Sequence, residues 1–255
     1  MKLSLQKVKK LATMLIIVFA GLLLTNVTQA QEKFILSTTE FTIKNGQDRQ
    51  FEEGIKAWKT CYLENKGEWT WQIWKRNNGK GSVYVLSSRM ENWAELDEQN
   101  DEAGKKCWEI AMEKIVPYVE SREHNYSHSI PELSRTTAAE MGVIWVTFFK
   151  VDNGTIFRET INEISDIMVK VEGDKRGYWY SASGGGTDSP DYFVTTPFKN
   201  YAALDIERDG VWKMMENSKG KEDTDKMRAD FRSAVTDMWG YMYKRMDELS
   251  NFSAE

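Results

Sequence analysis

Histidine and cysteine are the scarce residues of this 255-residue chain, with two of each. These types supply most transition-metal ligands, thiol nucleophiles and near-neutral acid–base groups. Their scarcity weakens metal, haem and thiol chemistry together. There is no C-x-x-C and no C-x-x-C-H, so redox exchange and covalent haem attachment have no support. No G-x-S-x-G is present either, which leaves serine hydrolysis without footing. Gly184-Gly185-Gly186 and Gly79-Lys80-Gly81-Ser82 lack the context of a phosphate loop and read as hairpin tips. Basic charge is also short: the formal net charge is −5, which does not suit a partner made of phosphates.

The longest apolar run, residues 11–24, has fourteen residues, where a membrane span needs about 20. Lys2, Lys7, Lys9 and Lys10 precede it, and a polar stretch ending at Ala30 follows. That is the order of a secretory signal, with the cut expected near Ala30 before Gln31. A permanent membrane anchor is the weaker reading, and no cysteine lies near the cut to receive a lipid. Loss of the four lysines takes the formal charge from −5 to −9. The mature chain is expected in the periplasm or outside the cell. Export gives Cys61 and Cys107 a meaning: a disulfide closing a loop of about 45 residues, worth about 4 kcal/mol in the chain-entropy model. Two separate buried thiols are the alternative.

What the chain has in plenty is aromatic residues: ten Trp, ten Tyr and eleven Phe. Many of them recur at a fixed distance. NWAELD at 92–97 returns as NYAALD at 200–205, an offset of 108, and Asn45-Gly46 returns as Asn153-Gly154. Tyr84 to Ser88 and Tyr192 to Thr196 match at the same offset, and with small gaps Phe51, Ile55 and Trp58 match Phe157, Ile161 and Ile164. Trp69 is paired with Trp179. The order is kept throughout, which marks an internal duplication. Each copy reads as a strand (34–43; 143–151), an amphipathic helix, a hairpin (69–76 with 82–88; 178–183 with 191–196) and a second helix (102–119; 224–249). In the second helices Trp108, Ala111, Met112, Ile115 and Tyr118 match Phe231, Ala234, Val235, Met238 and Tyr241 at an offset of 123, which implies about fifteen extra residues near 208–222. A closing strand is expected at 123–130, and both copies end in Glu-Leu-Ser.

The expected fold is therefore α+β: two tandem ferredoxin-like βαββαβ repeats, residues 31–135 and 136–255 behind a signal peptide at 1–30. Their strands are apolar on both faces, so the two bare faces pack sheet to sheet as a pseudo-dimeric α/β barrel. In that arrangement Cys61 and Cys107 lie at the same end of the first sheet. The order of elements and the duplication resemble the dimeric α/β-barrel superfamily over nearly the whole mature chain, with no subfamily motif matched. That superfamily includes the antibiotic-biosynthesis monooxygenases, the NIPSNAP-type proteins, and the chlorite dismutase and dye-decolorising peroxidase haem proteins. For the haem members the resemblance implies an axial histidine from the second repeat, where this chain has none. It also implies a G-x-x-D-G stretch, where Ile206 stands in place of the first glycine.

The residues themselves offer weak candidates. Trp69, Trp71, Trp145 and Trp179 on strands, with Tyr126, would line a pocket; core packing is the plain alternative. Glu40, flanked by Thr38 and Thr42, is a candidate buried acid whose counterpart is Phe148, or else a rim glutamate. His124 and His128 on one strand face stand about 13 Å apart, too far to share a metal, and read as edge residues or as groups at a cavity mouth. The expected function is an exported module that binds a small apolar or aromatic molecule, or a partner protein, without metal or cofactor. The rival is a cofactor-independent monooxygenase- or isomerase-like enzyme with Glu40, His124 or His128 handling protons. A third reading has residues 208–222 contacting a partner.

Overall fold

The computed structural model describes residues 32–97 and 101–252. The expected leader and its cut near Ala30 lie outside the described residues. The first half runs β1 (Ile35–Ile43), α1 (Asp48–Glu64), β2 (Gln72–Arg76), β3 (Ser82–Met90), α2 (Glu102–Lys106), α3 (Trp108–Lys114) and β4 (Val119–Ser129). The second runs β5 (Val143–Val151), α4 (Gly154–Glu172), β6 (Tyr178–Ala182), β7 (Tyr192–Phe198), α5 (Val211–Lys219), α6 (Lys221–Ala234) and β8 (Val235–Arg245). Among the described residues no helix is long and apolar enough to cross a membrane.

All eight strands pair antiparallel and close into one barrel, in the order β1-β3-β2-β8-β5-β7-β6-β4. Each half supplies four strands in the same relative order, β4-β1-β3-β2 and β8-β5-β7-β6. A bulge falls at the same place in both, between Thr42 and Ile43 against β4 and between Lys150 and Val151 against β8. The two sheets do more than face each other, because their outer strands are hydrogen-bonded at short seams: Trp74 to Arg76 against β8 and Ser127 to Ser129 against β6. Closure leaves no open sheet edge to recruit another chain.

Local chemistry sets the elements. In α1 and α4 the stripes Phe51–Ile55–Tyr62 and Phe157–Ile161–Ile164–Met168 are buried against the sheets. Asn153 caps α4 by accepting from the Ile156 amide at 3.1 Å, and Gly173, at φ +83°, ends it. The matched segments at 92–97 and 200–205 both fold as 3₁₀ turns whose leading Asn92 and Asn200 side chains accept from a backbone amide.

Two expectations are corrected. The helix expected over 224–249 stops at Ala234, and Val235 begins β8. From there Trp239, Tyr241 and Tyr243 alternate with Met238 and Met242, a period of two that the three-and-four spacing of Phe231, Ala234, Val235 and Met238 had masked. Val119 and Val235 then correspond, since they pair with Ile43 and Val151, so the insertion is eight residues rather than about fifteen. It folds as α5, whose Met214 and Met215 enter the core. The second correction concerns the helix expected over 102–119, which is broken at Cys107 into α2 and α3. There Trp108 is 62% exposed, and Ala111 and Ile115 face the core instead.

Cys61, in the last turn of α1, and Cys107 form a disulfide with Cα atoms 6.0 Å apart. Neither counterpart in the second half is a cysteine. There α5 covers the helix pair, so one half is stapled covalently where the other is packed over.

The repeated Glu-Leu-Ser has a structural reason. After β4 the chain crosses to the second half. Leu133 enters that half's core, and the Ser134 hydroxyl accepts from the Trp179 amide at 2.8 Å. After β8 the chain returns to the first half. Leu249 enters its core, and the Ser250 hydroxyl accepts from the Ile73 amide at 2.8 Å. Each half thus completes the other's hydrophobic core and satisfies a backbone donor of its sheet.

This exchange makes folding one event. Leu249→Ala is expected to cost about 2–5 kcal/mol and Ser250→Ala about 1–3 kcal/mol, because each leaves a cavity or an orphaned buried amide. Thermal unfolding followed by near-ultraviolet circular dichroism should stay a single lowered transition. Two resolved transitions would refute the coupling. Reduction of Cys61–Cys107 should cost about 4 kcal/mol by the loop-entropy estimate, read from urea denaturation with and without dithiothreitol.

Candidate functional site

Residues paired directly across antiparallel strands share a face, so the register divides each strand into inner and outer positions. Inner positions of β5, β7 and β8, joined by Trp74 and Val85 from the first half, form an apolar cluster distinct from the two helix-covered cores, in which Trp74, Ile144, Val146 and Tyr243 pack with Val85, Phe148, Phe193 and Tyr241. Phe148 stacks on Trp239 at 5.5 Å, with the ring planes 15° apart, and Tyr180 stacks on Phe193 at 4.8 Å. This wall of the lumen is aromatic.

The polar inner positions lie on β1 and β4 of the first half. Glu40 lies opposite Val85 on one side and Glu123 on the other, with Thr38 opposite Asn125. By register Glu40 and Glu123 occupy the places that Phe148 and Trp239 hold in the second half. A cross-strand pair of carboxylates thus stands where the other half has a stacked aromatic pair. Glu40, Phe148, Phe193, Trp239 and Tyr241 point inward and are half-buried.

Arg76 joins the two walls. It lies opposite Tyr243 on β8, and its guanidinium sits 4.5 Å from the centre of the Tyr241 ring. One amino group donates to the Lys80 carbonyl, while Nε is buried without a hydrogen-bond partner. Burial raises the pKa of Glu40 above the usual carboxylate value. Arg76 opposes that shift, and the charge of Glu123 adds to it. Burial, and then the charge of Glu40, likewise push the Tyr243 hydroxyl up. Tyr180 is pushed up to about 12 by burial. No hydrogen bond from any described residue reaches the Glu40 carboxylate.

Of the residues singled out from sequence, only Glu40 faces the lumen. His124, Tyr126 and His128 lie on the outer face of β4. There the Thr39 hydroxyl is 2.7 Å from His124 Nδ1, and Trp93 packs edge-on against Tyr126 and His128. The tryptophans also turn outward. Trp71 is buried under α1 and its indole donates to the Leu249 carbonyl at 2.9 Å. Trp179 stacks on Phe149 beneath α4, and Trp69 and Trp145 are 38% and 39% exposed. By register the counterpart of Trp179 is Ile73 rather than Trp69. The lumen is lined instead by Trp74, Trp239, Tyr241, Tyr243 and Arg76. The alternation Trp239–Tyr241–Tyr243 was the available signal.

The residues present do not fit a histidine-ligated haem. Both histidines are on the outer face of the first half, and the space between the second sheet and its helices is filled by Phe149, Phe157, Trp179 and Phe231. Among the described residues no group of three His, Cys, Asp or Glu is placed to hold a metal ion.

A carboxyl group whose pKa is raised on folding binds its proton more tightly in the native state. The native state therefore loses stability as pH rises from the ordinary glutamate value through the raised value of Glu40. Glu40→Gln should melt higher than the parent above that window and show no gain below it. Melting temperatures at pH 4 and pH 8 test this, and an equal difference at both would refute it.

No protein-family model and no curated protein matches the sequence. Among solved structures, a monooxygenase-like protein from Lactobacillus acidophilus NCFM superposes with a TM-score of 0.51 at 12% identity, over 84% of this chain and 94% of its own. A mutant chlorite dismutase from Candidatus Nitrospira defluvii, in complex with cyanide, gives 0.51 at 8% identity, over 84% and 93%. Identity this low carries architecture and not chemistry. With its closed barrel of eight antiparallel strands and its helices outside, the chain has the dimeric α/β-barrel fold.

Proposed function

We propose that the chain is an exported binding module, a tandem duplication of a ferredoxin-like unit (residues 31–135 and 136–255), whose lumen takes a small molecule with an aromatic or apolar body. One observation carries this reading: half-buried aromatic side chains share the inside of a closed barrel with carboxylates. Pockets for small molecules combine such apolar walls with few polar groups that fix orientation. The body of the ligand stacks against Phe148 and Trp239, and its polar end meets Glu40. The disulfide supports export, since such bonds persist in oxidising compartments. Cleavage near Ala30 is part of the same proposal.

A second reading rests on Glu40 itself. A carboxylate with a raised pKa, on the inner face of the barrel and with no hydrogen-bond partner among the described residues, has the properties of a general base. On that reading the barrel is a cofactor-independent enzyme of the monooxygenase or isomerase type.

Native mass spectrometry, with an absorption spectrum, on protein purified from its own host tests both. The binding module predicts a co-purifying small molecule, no Soret band, and the same unchanged mass on the parent and on Glu40→Gln. The enzyme predicts that the parent converts the molecule and that Glu40→Gln slows conversion about 10²–10⁴-fold. Protein that carries no small molecule and binds no aromatic probe would remove both.

A further inference from the structure

A cavity of about 470 Å³ lies at the N-terminal end of α4, beside the glycine tip of the β6–β7 hairpin. Its lining includes Lys150, Gly154, Ser181, Gly185, Asp191 and Tyr192. The volume falls in the range of small-molecule pockets.

The first half shows what this place holds when it is filled. The first residue of α1 is Asp48 where α4 begins with Gly154. Tyr84 and Tyr192 correspond on β3 and β7, as do Lys75 and Ser181 on β2 and β6. In the first half the Asp48 carboxylate accepts from the Ser82 hydroxyl and lies 3.0 Å from the Tyr84 hydroxyl and 3.1 Å from Lys75 Nζ, the same tyrosine and lysine also meeting Glu52 one turn further along α1. The protein thus holds a carboxylate of its own at a helix N-terminus, on a tyrosine hydroxyl and a lysine.

In the second half the tyrosine is kept and the carboxylate is gone. Tyr192 packs on Phe157 with ring centres 4.9 Å apart, as Tyr84 packs on Phe51 at 4.9 Å, so the two rings occupy corresponding places. No described residue hydrogen-bonds the Tyr192 hydroxyl. Gly154 leaves open space, since nothing lies within 4 Å of where its Cβ would be. The lysine now comes from β5, on the other side of β7: Lys150 Nζ donates to the Ser189 carbonyl at 2.8 Å and lies 3.8 Å from Asp191. Asp191 in turn accepts from the Val151 amide at 2.8 Å. An ammonium has three donors, so Lys150 keeps capacity for an incoming oxygen. Helix α4 spans 19 residues, and the amides of Gly154 and Thr155 in its first turn add the donors an anion meets at such an end.

We propose that this cavity is a ligand site that takes a small organic carboxylate, its carboxylate group standing where Asp48 stands in the first half. The Tyr192 hydroxyl, Lys150 and the first turn of α4 hold the carboxylate, and the body of the ligand lies under Gly184 to Gly186.

Benzoate and its neutral analogue benzyl alcohol, titrated into the full mature chain and followed by amide NMR shifts, test the proposal. Benzoate should shift Gly154, Thr155 and Gly185 saturably, with benzyl alcohol weaker by about tenfold or more. Tyr192→Phe keeps the ring packing and should weaken benzoate about three- to tenfold, as loss of one hydrogen bond to a charged group does. Gly154→Asp supplies the carboxylate from within. It should abolish benzoate binding while raising the melting temperature, and the open space at this position lets that variant fold. Equal shifts from the two probes, benzoate binding retained in Gly154→Asp, or no saturable shift up to about 10 mM would each overturn it.

Discussion

The exchange of chain ends is the constraint on which the rest of the molecule depends. A sheet of four strands covered by two helices has one bare face, and each half places a leucine and a serine into the other rather than into itself. Leu133 and Leu249 are 1% and 0% exposed, so neither core is complete until both tails have crossed. The short seams at β2–β8 and β4–β6 have only three paired residues each. They are held from beyond their ends by these tails, and that is how a barrel with two weak joints stays closed.

Closure in turn fixes which side chains meet in the lumen. The inner face is set by register, and register is set in both halves by the long pairings of β1 and β5 with their neighbours and by the matching bulges. One residue of slip would turn Glu40 outward and bring Phe41, now packed under α1, into the lumen. The raised pKa of Glu40 is therefore a property of the whole barrel, since the burial behind it and the Arg76 that moderates it come from different strands.

Much of this architecture was legible in the sequence, and the failures have physical causes. The matching strand order of the two halves is legible because their cores use like shapes: Phe51 and Phe157 pack on Tyr84 and Tyr192 in the same way. Trp69, Trp71, Trp145 and Trp179 turn away from the lumen that they are expected to line, because residue type carries no parity. Trp71 and Trp74 are three residues apart on neighbouring positions of one strand region, so they face opposite sides. β8 is masked because Phe231, Ala234, Val235 and Met238 continue a helical spacing past Ala234, while the alternation of a strand shows only from Trp239, Tyr241 and Tyr243 onward. Burial against β5 decided between them, and no local window contains that contact. Arg76 was passed over because nothing in a hairpin sequence tells that its guanidinium turns inward onto a tyrosine 165 positions later.

The opposition of Glu40 with Glu123 to Phe148 with Trp239 has a consequence for recognition. A chamber with two identical halves offers any guest two equivalent poses, related by half a turn, and a guest with distinct ends would be held either way round. Here one end of a guest would meet carboxylates and the other would meet rings, so the two poses would differ in energy. A single chain with two unlike halves can give its lumen a direction, which a pair of identical subunits cannot.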